Sequence, residues 1–281
     1  MYKLGLSTTG KTVCEDLFRT YAEGGIYGME ISLPSESYSS FDFKSAREWA
    51  DRYGVCLWSF HLPFKPFDTL DISKKELQKS SLEFLKELVK KAGDIGIDKC
   101  ILHPGGITKN DPDIKTRMEY AKESLDIMAE EAAKCGTTIV VENLPPICLS
   151  KGSPELLELV SVNDKLKICF DTNHLLTGES FEDFLPKVKD RLVTLHISDY
   201  DLINERHWLP GEGKVDWQKM YNAIKATGYD GLWLYEIAFA PVVTISRNRD
   251  LTVADFVRNA DEIFNNKPLT VFGTPKEDLY K

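Results

Sequence analysis

The sequence predicts an α/β fold, a single (β/α)8 barrel, and three observations carry that expectation. Apolar runs of strand type alternate with stretches of helical period from one end of the chain to the other, the pattern of repeated strand–helix units. Eight such units can be counted over residues 1–267, one about every 33 residues, and 281 residues is an ordinary length for a closed barrel. The strand segments are apolar on both faces, as strands covered by helices must be. A doubly wound open sheet is the competing arrangement. It calls for a Gly-rich phosphate loop after an early strand, whereas Gly24-Gly25 precedes one.

In order, the strands are expected to close at Leu4-Gly5-Leu6-Ser7, Met29-Glu30-Ile31-Ser32, Leu57-Trp58-Ser59-Phe60-His61, Cys100-Ile101-Leu102-His103, Ile139-Val140-Val141-Glu142, Ile168-Cys169-Phe170-Asp171, Val193-Thr194-Leu195-His196 and Trp233-Leu234-Tyr235-Glu236. The clearest helical stretches are 73–93, 113–135, 216–227 and 252–265. Ser73 and Asp111 are candidate N-caps, since a short side-chain oxygen can accept from the free N–H groups of a first turn. Gly54, Gly96, Gly136 and Gly228 follow last turns, where a left-handed residue is wanted. Residues 1–267 are read as the barrel and 268–281 as a C-terminal tail.

Composition narrows the function. With 42% apolar and 28% charged residues the chain is of ordinary globular type. The net charge of -9 argues against a partner held by phosphate contacts, so nucleic acid is not expected. The longest apolar run, Ile237 to Val243, is seven residues and contains a proline, far short of the roughly 20 of a membrane span. No signal-peptide pattern opens the chain, and six cysteines scattered without any C-x-x-C pair read as free thiols, so a cytoplasmic protein is expected. A homo-oligomer is compatible with this composition.

The strand ends carry the chemistry. A buried barrel strand should stay apolar to its end, yet His61, His103, Glu142, Asp171, His196 and Glu236 close six of the eight, with His174 three residues beyond Asp171. All five histidines lie at these ends or in the following loops, His207 being the fifth. These are the ends where barrel enzymes gather their active residues. Several acids in one barrel mouth repel one another unless a cation or shared protons offset them, and mixed oxygen and imidazole donors point to a divalent metal. Trp58 and Phe60 near His61, and Trp208 near His207, are candidate aromatic walls for a substrate. Lys65, Lys109 and Lys151 are loop lysines that would meet a phosphate.

Taken together, Glu142-Asn143, Phe170-Asp171-Thr172-Asn173-His174, His196-Ile197-Ser198-Asp199, the His207-Trp-Leu-Pro-Gly-Glu-Gly-Lys-Val-Asp-Trp217 loop and Tyr235-Glu236 resemble the xylose isomerase-like TIM-barrel superfamily, over nearly the whole chain. That grouping holds sugar and sugar phosphate isomerases and epimerases, and also endonuclease IV. The resemblance implies one divalent ion, Mn²⁺ first and Mg²⁺, Co²⁺ or Zn²⁺ as alternatives, held by Glu142, Asp171, His196 and Glu236. It implies Glu142 and Glu236 as the acid/base pair of a proton transfer through an enediolate on a small carbohydrate. His174, His61, His103, Arg206, His207 and Glu30 are then the expected substrate contacts.

The match has departures. Leu202 and Cys148 stand about where ketose 3-epimerases carry an arginine and a further glutamate, and Arg206 is the candidate replacement for the arginine. A second branch also fits. His61, His103, Glu142, Asp171, His174, His196, His207 and Glu236 resemble eight of the nine zinc ligands of endonuclease IV, with Glu205 in place of an aspartate. The His-x-x-Pro-Gly-x-Gly-x-x-Asp-Trp loop and the lack of basic or aromatic wedge loops for gripping DNA favour the sugar enzymes. A zinc phosphodiesterase and a related carbohydrate dehydratase are the alternatives.

Overall fold

The computed structural model describes residues 2–66, 68–106, 111 and 113–277. In chain order the elements are β1 (Leu4–Ser7), α1 (Glu15–Glu23), β2 (Gly28–Ile31), a 3₁₀ turn (Ser35–Ser40), α2 (Phe43–Tyr53), β3 (Cys56–His61), α3 (Lys75–Asp94), β4 (Lys99–Leu102), α4 (Ile114–Lys134), β5 (Thr138–Glu142), α5 (Gly152–Val160), β6 (Lys167–Asp171), α6 (Phe181–Val188), β7 (Leu192–His196), α7 (Trp217–Ala226), β8 (Trp233–Tyr235), β9 (Ile245–Arg247), α8 (Val253–Phe264) and β10 (Gly273–Pro275). Strands β1 to β8 form one parallel sheet in sequence order, with β8 returning to pair with β1. Closure between β7 and β8 comes just beyond the strand ends, where Ile197 N–H donates to Leu234 O at 2.8 Å and Glu236 N–H to Ile197 O at 3.2 Å. This is the (β/α)8 barrel.

Two apolar layers hold it. The large core lies between strands and helices, with Phe18, Phe60, Phe170, Phe184, Trp233 and Phe256 among its fully buried side chains. A small inner core of Ile101, Val140 and Cys169, with Val193 against it, fills the barrel itself. Period 2 then explains the site. The residue two positions after Ile101 is His103, after Val140 it is Glu142, and after Cys169 it is Asp171, so each polar strand end lies on the inner face above that layer. Bulges keep β3 and β7 in phase: Leu57 and Ser59 pair with consecutive residues of β2, and Leu192 and Thr194 with consecutive residues of β6.

The structure corrects two expected helix starts. Helix α3 begins at Lys75, and the Ser73 hydroxyl is spent on Asp71 (2.6 Å) instead of on a first-turn N–H. Helix α4 begins at Ile114, while Asp111 accepts from Asp113 N–H. Among the described residues, Asp42, Ser180 and Asp216 are N-cap side chains that accept from a first-turn N–H, and Thr252 with Asp255 forms a capping box on α8. Gly54, Gly96, Gly136 and Gly228 all have positive φ, as expected. The segment after α8 folds back, β10 pairing antiparallel with β9 in the loop that follows β8.

Candidate metal centre

Strands β5 to β8 bring Glu142, Asp171, His196 and Glu236 to one point, each offering a ligand atom within 4.8 Å of the others. His196 Nδ1 lies 3.3 Å from Glu142 Oε1, 3.3 Å from Glu236 Oε2 and 3.9 Å from Asp171 Oδ2. All four side chains are buried. Two further groups adjoin, His61 with His103 and Glu142, and His174 with Glu205 and His207, so Glu142 belongs to two of the three. The five histidines singled out in the sequence therefore converge around one mouth.

Neighbouring strand ends are stitched together by the residues that follow the cluster side chains. The Asn143 amide donates to Asp171 O (2.9 Å) and accepts from Asp171 N–H (2.8 Å), sewing β5 to β6. Thr172 Oγ1 donates to Ser198 O and accepts from Ser198 N–H, sewing β6 to β7. Asp199 organises the next loop: its carboxylate accepts from the N–H groups of Gly211, Gly213 and Val215 and from the Trp217 indole at 2.8 to 3.2 Å. That loop presents His207, which sits at φ 53, a conformation few non-glycine residues adopt. The motifs contained these stitching residues, but only the fold shows what they do.

The donor set fits a cation. Asp171 Oδ2 is buried with no hydrogen-bond partner, as is Glu30 Oε1, and a buried carboxylate oxygen left so is costly without a positive neighbour. Burial pushes the Asp171 carboxyl up to about 7, with Glu142 and Glu236 adding to the push. Glu142 is held well below its ordinary value: burial opposes ionisation, but the His196 and His103 charges outweigh it. At His61 burial disfavours the proton, yet Glu142 and Glu30 lift its value to about 9. Protons on imidazoles thus do part of what a divalent ion would do.

Two expected substrate contacts lie elsewhere. Glu30 is fully buried behind His196, accepting from Ser59 Oγ (2.8 Å) and meeting His196 Nε2 at 3.0 Å. It fixes the ring so that Nδ1 faces the cluster, the usual task of a carboxylate behind a ligating histidine. Arg206 does not line the cavity: its guanidinium is drawn to Asp201 at 2.6 Å. The aromatic candidates are also displaced. Phe60 packs outward among Tyr38 and Phe43, Trp58 donates to Thr194 lower in the barrel, and the buried Trp208 indole donates to Thr244. Phe64, which the sequence did not single out, is the aromatic wall, its ring stacked 4.3 Å from His103.

The cluster lies below a cavity of about 240 Å³ that His61, His103, Glu142, His174, His207 and Glu236 all reach. Cys148 and Lys65 also line it; Lys151 does not, and Lys109 lies outside the described residues.

Comparison with known proteins follows the same lines. The chain is 27% identical over 226 residues to an uncharacterised protein of Methanocaldococcus jannaschii, covering 75% of this chain and 74% of that one. It is 24% identical over 252 residues to fructoselysine 3-epimerase of Shigella flexneri, covering 84% and 90%. A probable endonuclease 4 of Ureaplasma urealyticum is 26% identical over 180 residues, covering 54% and 56%. Among solved structures, a D-tagatose 3-epimerase-like protein superposes with a TM-score of 0.77 at 22% identity over 94% of this chain and 98% of that one, which shows the shared fold. The model of the xylose isomerase-like TIM barrel matches residues 18–252. With the barrel, the strand-end cluster and that match in agreement, the chain belongs to the xylose isomerase-like TIM-barrel family.

Proposed function

We propose that this protein is a metal-dependent sugar isomerase or epimerase in which Glu142 and Glu236 move the proton. One observation carries the reading: two carboxylates from β5 and β8 line one cavity and meet the same His196 nitrogen at 3.3 Å each. Glu142, Asp171, His196 and Glu236 would hold the ion, Mn²⁺ suiting a site of three carboxylates and one imidazole. When bound, it supplies the positive charge that offsets the negative charge developing on the substrate oxygens as a proton leaves the adjacent carbon. Glu142 and Glu236 then serve as base and acid from opposite sides of the sugar. Return of the proton to the opposite face epimerises, and return to the neighbouring carbon isomerises. His174 and His207, which line the cavity, would hold hydroxyls, and Glu30 would act only through His196. The fructoselysine 3-epimerase relative, matched over most of both chains, supports a carbohydrate substrate.

A second reading, a zinc phosphodiesterase, is favoured by the groups His61, His103, Glu142 and His174, Glu205, His207 flanking the first. Metal analysis separates the two. The isomerase reading expects about one ion per chain, and hydrogen exchange from a ketose in deuterated water that falls about a hundredfold or more in Glu236→Gln. Close to three zinc ions per chain, with no ketose exchanging, would overturn the isomerase reading in favour of the phosphodiesterase.

A further inference from the structure

Two unlike sets of side chains line the cavity above the cluster. Imidazoles and carboxylates make one set, while Phe64 from the loop after β3 and Leu144, Pro145 and Ile147 from the loop after β5 supply an apolar wall. That apolar wall continues to the surface: Ile147 is 44% exposed at the rim. An exposed aliphatic side chain at the rim of a polar cavity is poorly explained by a fully hydroxylated substrate and marks a place where an apolar surface comes to rest.

Among the described residues, the same rim offers little to a phosphate. Lys65 is the one lysine or arginine among the described lining residues, an exposed side chain with its ammonium 5.1 Å from the Phe64 ring centre. Among the described residues, two further cations near the barrel mouth are held by partners. Arg206 is paired with Asp201, and the Lys11 ammonium is held by the carbonyls of Ser7, Thr9 and Ile237. Glu205 and Glu236 also face the cavity and would repel a dianion.

We propose that the substrate is a neutral sugar carrying an apolar substituent. The sugar's reacting carbons meet Glu142 and Glu236, and the substituent lies on Phe64, Leu144, Pro145 and Ile147, leaving over the rim. The proposal rests on the carbohydrate reading above. It makes Phe64 and Ile147 specificity-determining residues.

Calorimetric titration of the full chain with Mn²⁺ present tests it, using D-fructose, its monophosphate esters and its mono-O-benzyl ethers. At least one benzyl ether is expected to bind about tenfold tighter than D-fructose, and no phosphate ester tighter than D-fructose. Ile147→Asp, at a position exposed enough to tolerate the change, should erase the benzyl advantage, and Phe64→Leu should reduce it. A phosphate ester that binds about tenfold tighter than D-fructose, and loses that gain in Lys65→Ala, overturns the proposal. So does the absence of any benzyl preference. The expected order of binding without hydrogen exchange from any ketose would remove the proton-transfer reading and leave the specificity standing. Exchange from a ketose phosphate with no benzyl preference would do the reverse, and no binding by any of these sugars overturns both.

Discussion

At the scale of single residues, the consequence of Glu30 is sharpest. It does not line the cavity above the cluster, yet its carboxylate meets His196 Nε2 at 3.0 Å and so decides which imidazole nitrogen faces Glu142 and Glu236. A ligand whose supporting hydrogen bond is weakened keeps its place but binds less firmly. Glu30→Gln is therefore expected to fold normally and to weaken Mn²⁺ binding by about tenfold to a hundredfold, read as a dissociation constant by titration. An unchanged constant would show that packing alone orients the ring. Glu30 was visible in the sequence as a carboxylate closing a strand, but its role was not. Whether such a group faces a ligand or another side chain depends on how β2 and β3 align, and that alignment includes a bulge.

At the scale of elements, the loop between β7 and α7 and the start of α8 show two ways of fixing backbone with a carboxylate. Asp199 gathers four N–H groups, that of Tyr200 included, and an indole, and a Cβ on Gly213 would stand 2.3 Å from its Oδ1, so loop and carboxylate are fitted to each other. Asp199→Ala would leave those donors buried and unpaired. It is expected to cost about 2–4 kcal/mol in urea unfolding, with faster amide exchange confined first to residues 207–217. Uniform exchange across the barrel would contradict that local account. In α8, Asp255 accepts from Thr252 N–H and Oγ1 at 2.8 Å each and from Arg249. The Arg249 hydrogen bonds lead in holding its carboxyl down to about 2. A value depressed below that of the unfolded chain, about 3.9, stabilises fully at neutral pH and loses that contribution as pH falls through the folded value. Asp255→Asn should thus cost about 1–2 kcal/mol at neutral pH, and the gap to the parent protein in unfolding experiments should close on acidification towards pH of about 2. A gap that stays constant would mean that the charge is immaterial to the cap.

For the molecule as a whole, the cluster ties one end of the barrel together. Glu142, Asp171, His196 and Glu236 come from four successive strands, β5 to just beyond β8, including the pair whose closure is made by two hydrogen bonds near Ile197. An ion that binds there binds the folded state alone. At a hundred times its dissociation constant it adds about 2.7 kcal/mol. Chelation is expected to lower the melting temperature by several degrees and Mn²⁺ to restore it, whereas Glu142→Gln should melt at nearly the same temperature with or without the ion. Equal melting of chelated and loaded parent protein would argue that the cluster holds no structural cation.

The eight strands, the four clearest helices and the convergence of the strand-end acids and histidines follow from the sequence alone, because hydrophobic period and strand-end position are local properties. So does the match of Glu142, Asp171, His196 and Glu236 to a common pattern. What only the tertiary structure decided is which of those groups face the cavity and which stand behind it. Glu30 and Arg206 turn to partners far away or across a loop, Trp58 and Phe60 leave the mouth, and Phe64 with Ile147 takes their place. The reason is physical: a strand's period of two assigns a face, but barrel closure, bulges and the stitching by Asn143, Thr172 and Asp199 set the height and direction of each side chain. Those depend on residues distant in sequence that meet only once the ring is closed.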